Sequence, residues 1–126
     1  MKTRKPVFGF IALIIFCILN AGVALADKSA VTIEGPDEVA KGTEATVKLN
    51  VTHSGNNFFH YTKWVKVKAN GTEIAHWDYS MTNRPEGANF TKEIKVTVNE
   101  DLEIIAEASC NLHGSAGPAV KKIAVR

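Results

Sequence analysis

The sequence predicts an all-β domain, an immunoglobulin-like antiparallel β-sandwich of about seven strands, and three observations carry that expectation. Apolar residues recur with period two from Val31 to the C-terminus, and Gly, Pro, Asn and Asp punctuate the runs. No stretch after residue 26 has the 3.6-residue apolar spacing of an amphipathic helix. About a hundred residues in short strands fit a two-sheet sandwich, whose end loops are the usual place for function.

The elements follow in order. Val31-Thr32-Ile33 is a first strand, stopped by Gly35-Pro36. Ala45, Val47, Leu49 and Val51 share one face of a second, which ends at His53. Ser54-Gly55-Asn56-Asn57 is a loop by composition. Phe58-Phe59-His60-Tyr61 is expected to open a third strand that continues through Trp64 to Lys68. Asn70-Gly71 is a strong hairpin signal, and it joins that run to Glu73–Tyr79, where Ala75, Trp77 and Tyr79 share a face. Asn83 to Gly87 reads as another loop. Phe90–Val98 alternates again, with Lys92 on its apolar side. Leu102, Ile104, Ala106 and Ala108 then form an inward series that Cys110 continues, and Ala119–Val125 is the last strand.

Residues 1–26 stand apart. Lys2, Arg4 and Lys5 precede an uncharged apolar run from Val7 to Leu19, and Ala24-Leu25-Ala26 gives a small-x-small cleavage pattern before Asp27. This is the form of a secretory signal peptide, so the mature domain is expected to be 27–126, periplasmic or secreted, without a membrane segment once cleaved. Cleavage would lower Lys plus Arg from 15 to 12 against 13 acidic residues, moving the formal charge from +2 to −1. The basic balance therefore belongs to the leader, and nothing in the mature chain points to a nucleic-acid partner.

The mature chain keeps one cysteine, Cys110, which has no partner for an internal disulfide. It lies in Cys110-Asn111-Leu112-His113-Gly114, with a thiol and an imidazole three residues apart. His53 and His60 flank a polar turn earlier in the chain, and a Greek-key sandwich permits these loops to meet at one end. Joined, His53, His60, Cys110 and His113 would form a metal site. One thiolate with several imidazoles suits redox-active iron or copper better than structural zinc, which usually takes more cysteines. A blue-copper site would also want an axial Met, and Met81 is remote from Cys110 in sequence. A Cys–His nucleophilic pair would not need three histidines around one thiol. His76, in opposite phase to Ala75 and Trp77, reads as an exposed strand histidine.

These residues resemble the superoxide reductase family, the neelaredoxin and desulfoferrodoxin iron-binding domain. Cys110-Asn111-Leu112-His113-Gly114 is similar to its C-terminal ligand motif, His53 to Trp64 to its paired-histidine hairpin, and Asp27 to Pro36 to its opening segment. The resemblance implies a mononuclear non-haem iron with Cys110 as axial thiolate and His53, His60 and His113 as equatorial imidazoles. It implies one-electron reduction of superoxide to hydrogen peroxide, with electrons from an unknown redox donor. Lys28 matches a mobile lysine near the open position, a catalytic role in attracting the anion. The chain departs from the pattern where Ser29 replaces the family's first histidine, Asp27 replaces Glu, the hairpin is His-x6-His instead of x5, and Ser54 replaces a proline. Water, Ser29, the amine of Asp27 or His76 could supply the missing ligand. Without a four-cysteine rubredoxin-like segment in this sequence, a two-iron desulfoferrodoxin is not expected. The competing functions are a non-enzymatic metal-binding or electron-transfer module using the same residues, and an interaction domain with a packed, metal-free thiol.

Overall fold

The computed structural model describes residues 27–126, so the predicted leader lies outside the described residues. Among the described residues there are eight strands: β1 Ala30–Glu34, β2 Glu38–Val39, β3 Thr43–Thr52, β4 Thr62–Ala69, β5 Thr72–Asp78, β6 Phe90–Val98, β7 Leu102–Cys110 and β8 Ala119–Val125. They form a three-stranded sheet, β1-β3-β6, and a five-stranded sheet, β2-β8-β7-β4-β5. The expected sandwich is therefore present, with one strand more than the alternation indicated. That strand, β2, is two residues long, too short for a period to show, and it pairs parallel to β8. Asp37 helps fasten it: its carbonyl accepts the Ala124 N–H at 2.8 Å. The Lys121 ammonium beside its carboxylate holds that group below the usual carboxylate range.

Period-two alternation places the core. Val47, Leu49 and Val51 of β3 face Val65 and Val67 of β4 and Ile104, Ala106 and Ala108 of β7, all buried. Each fully buried Val or Leu side chain removes enough apolar surface to contribute roughly 1.5–3 kcal/mol. Lys92, the one charge in the apolar phase of β6, is accommodated by reaching outward: its Nζ lies 3.4 Å from Glu86, over the rings of Tyr79 and Phe90. Burial pushes the Tyr79 phenol up.

The strand directions put all the chemistry at one end. β3 arrives there at Thr52, β4 leaves at Thr62, β7 arrives at Cys110 and β8 leaves at Ala119. The opposite end holds the β4–β5 hairpin, where Asn70 (φ 47°) and Gly71 (φ 82°) are both left-handed, as a two-residue type I′ turn requires. The structure corrects the expected start of the third strand. Residues 57–60 are a tight turn, because the Asn57 side chain accepts the N–H groups of Phe59 (2.9 Å) and His60 (3.0 Å) and takes them out of any ladder.

Candidate metal centre

Four side chains from two loops, β3–β4 and β7–β8, converge. His53 follows β3 immediately and is buried, with 7% of its surface exposed. Its N–H donates to the Asn89 side chain at 3.2 Å, which ties it to the β5–β6 loop. His60 sits at the end of the 57–60 turn. Cys110 closes β7 on its buried face, 4% exposed, as its phase in the sequence predicts. His113 lies on the turn beyond, where the Cys110 N–H donates to the Gly114 carbonyl (2.9 Å) and the Gly114 N–H donates back (3.2 Å). Gly114 has φ 79°, so a side chain there would be strained.

The ring nitrogens meet at their tips. His53 Nε2 lies 3.1 Å from His60 Nε2, and His60 Nε2 lies 3.2 Å from His113 Nδ1. The rings stand edge to face, with centroids 4.5 and 5.0 Å apart. His53, His60 and Cys110 each place a donor atom within 4.8 Å of the other two. His113 Nδ1 joins them 4.0 Å from the Cys110 sulfur.

This geometry fits a metal ion. Two nitrogens bound at 2.0–2.1 Å to one ion stand about 2.8–3.4 Å apart, from right-angled to tetrahedral geometry. Both observed nitrogen pairs fall in that range. Burial pushes the His53 imidazole below its usual range, and His60 and His113 add smaller effects in the same direction. The nearby backbone of Gly55 and Asp27 opposes that shift, yet the buried Nδ1 of His53 has no hydrogen-bond partner. A neutral ring is the form that ligates metal. The Leu112 N–H points at the Cys110 sulfur at 3.4 Å.

Supporting residues hold this set, and the sequence did not single them out. Gly55 leaves room for His60, since a Cβ there would lie 2.9 Å from His60 Nδ1. The Asn56 amide donates to the Pro85 carbonyl at 2.8 Å and fastens the β3–β4 loop to the β5–β6 loop. The Ser-Gly-Asn-Asn composition marked a loop, but not which side chain each residue would serve.

Ser29 is fully buried, and its hydroxyl shares a 2.8 Å hydrogen bond with Thr62, the residue paired with Cys110 across β4 and β7. Its N–H donates to the Gly114 carbonyl (3.2 Å) and its carbonyl accepts from Ala116 (2.9 Å), so the segment before β1 is pinned beside the ligand loop. The half-buried Lys28 precedes this pinned residue, at the metal end. His76 stays on edge strand β5, its two ring nitrogens 2.9 Å from Glu73 and Asp78, outside the cluster.

Fold and donor set together define a β-sandwich in which His53, His60 and Cys110 could hold a metal ion, with His113 beside them. The desulfoferrodoxin family profile matches residues 23–115, most of the chain, and the chain belongs to that family. Among solved structures it is similar to the superoxide reductase (neelaredoxin) from Ignicoccus hospitalis, with 21% identity over 79% of this chain and 82% of that one and a TM-score of 0.65. It is also similar to the CARDB domain of a Pyrococcus furiosus protein in complex with di-metal ions, with 19% identity over 78% of this chain and 87% of that one and a TM-score of 0.59. At these identities the likeness is one of fold. A search of curated protein sequences finds no match.

Proposed function

We propose that the mature chain is an exported iron protein that reduces superoxide by one electron to hydrogen peroxide. The observation that carries this is the meeting of His53, His60 and His113 nitrogens beside the buried Cys110 sulfur at metal-ligand spacing. Family membership supports non-haem iron as the metal, and the apolar run with its Ala24-Leu25-Ala26 pattern supports export.

Bound iron would supply the one electron that superoxide accepts, and an external donor would return it. The residues do the rest. Cys110 would bind the metal through its buried sulfur, to which the Leu112 N–H donates. Imidazoles ligate metals as neutral donors, so a Cys110 sulfur bound as thiolate would be the sole anionic ligand and would have the greatest leverage on potential. Lys28 attracts the anionic substrate to this end of the sandwich. Two protons complete hydrogen peroxide for each electron delivered, and solvent supplies them.

The Ser29 hydroxyl engaged with Thr62 favours a second function at the same residues. On the resemblance Ser29 stands where the family has its first histidine, and with its hydroxyl turned to a buried partner the site would be a three-histidine, one-cysteine set. Such a site suits a non-enzymatic metal-binding or electron-transfer module holding iron or copper. Metal analysis with visible and EPR spectroscopy, then a superoxide pulse, separates the two. Stoichiometric iron, a sulfur-to-iron absorption band and rapid oxidation of the ferrous protein by superoxide support the enzyme. A metal-loaded protein inert to superoxide supports the module, and a protein that refuses both metals excludes each.

A further inference from the structure

We propose that Asn111 is a positioning residue whose side-chain amide fixes the Cys110–His113 loop against the loop that carries His60. This rests on the metal-site function above and concerns how the site is held together. The β4–β7 ladder ends at the Thr62–Cys110 pair, after an irregularity between Thr62 and Trp64. Beyond it, Asn111 takes over. Its backbone N–H donates to the Tyr61 carbonyl at 3.1 Å, and its side-chain Oδ1 accepts the Tyr61 N–H at 3.0 Å in the place of a main-chain carbonyl. Its Nδ2 donates to the Phe59 carbonyl at 3.0 Å.

Three hydrogen bonds thus run from the residue next to Cys110 to the two residues flanking His60. The two ligand-bearing segments are 50 residues apart in sequence. The ligand atoms must keep separations near 3 Å, so a small slip between the loops would spoil the donor set. An amide is the group this position needs. One oxygen must accept and one nitrogen must donate on opposite sides of His60, which neither a carboxylate nor a hydrocarbon can do.

Asn70 provides an internal control. It uses the same device at the far end, where its Nδ2 donates to the Asp101 carbonyl at 3.0 Å and its Oδ1 accepts the Glu103 N–H at 2.9 Å. It touches no ligand. The test compares Asn111→Ala, Asn111→Asp and Asn70→Ala with the parent chain, using Co(II) as a spectroscopic probe and iodoacetamide alkylation of Cys110 in metal-free protein. Asn111→Ala is expected to weaken Co(II) binding by about tenfold or more, the scale seen when groups that orient metal ligands are removed. It should also shift the sulfur-to-cobalt band and speed alkylation of the buried thiol several-fold.

Asn111→Asp, which keeps the acceptor and loses the donor, should fall between. Asn70→Ala should lower the melting temperature with affinity, band and alkylation rate unchanged. Parent-like Co(II) affinity and alkylation in Asn111→Ala overturn the proposal, as does an equal effect in Asn70→Ala. If the parent chain binds no Co(II) or Fe(II), the metal function fails by itself, and the alkylation rates alone decide whether Asn111 positions Cys110.

Discussion

The two ends of the sandwich are built by different rules. At the far end the chain turns through Asn70-Gly71, a tight hairpin whose backbone angles come from the two residues themselves. At the metal end the loops between β3 and β4, β5 and β6, and β7 and β8 are held by amide side chains. Asn56 reaches Pro85, Asn89 reaches the His53 N–H, and Asn111 reaches both sides of His60. Local backbone preference sets the turn at one end, which a single amide, Asn70, braces against Asp101 and Glu103, whereas three amides tie the longer loops together at the other. The metal end therefore keeps polar groups in costly places, such as the unpartnered buried Nδ1 of His53. A metal that drew the His53 ring through its other nitrogen would help offset such costs, because binding free energy adds to folding free energy.

The sharpest way to break this contrast is Gly55→Ala. The new Cβ would meet His60 Nδ1 at 2.9 Å, so the ring must swing away from His53 and His113. Metal affinity should fall by about 10- to 100-fold in a titration, with little change in the circular dichroism of the metal-free fold. Gly71→Ala attacks the other end. At φ 82° an L side chain costs about 1–2 kcal/mol, so the melting temperature should drop by several degrees while metal affinity stays put. Equal loss of metal binding in the two variants would sink the division of labour between the ends.

Acid should act on the metal end selectively. Burial lowers the folded-state pKa of His53, so the unfolded chain binds a proton more readily than the folded one. That contribution to stability is fully present above the unfolded value of about 6.5 and is lost as pH falls through the lower folded value. Metal-free protein should therefore unfold more easily in urea at pH 5 than at pH 7.5, and His53→Gln should flatten the difference. The smallest effect belongs to His76→Ala. It removes a surface pair of carboxylate contacts on an edge strand, and should change stability by about 0.5 kcal/mol or less and metal binding not at all.

The same contrast explains what the sequence could show. The core was legible because alternation is a local signal: Val47, Leu49 and Val51, or Leu102 to Cys110, declare their face by counting in twos. Cys110 was placed correctly as an inward strand end for that reason. The Asn70-Gly71 turn was equally plain. Phe58-Phe59-His60-Tyr61 was read as strand because its side chains favour one. The Asn57 side chain overrides that preference by taking two N–H groups for itself. Asn56, Asn89 and Asn111 were opaque because an asparagine's partner is fixed by tertiary contact, here at separations of 29, 36 and 50 residues. Ser29 was marked by resemblance as a place where a histidine is lacking. Its bond to Thr62 could be learned only from the folded chain.

The central claim is that Cys110 and the three histidines hold one iron. Visible absorption and EPR on the mature chain, with metal analysis of the same sample, address it most directly. The account predicts one iron per chain and a sulfur-to-iron charge-transfer band that Cys110→Ser abolishes. A colourless chain that resists iron loading, or a band that survives Cys110→Ser, would contradict it.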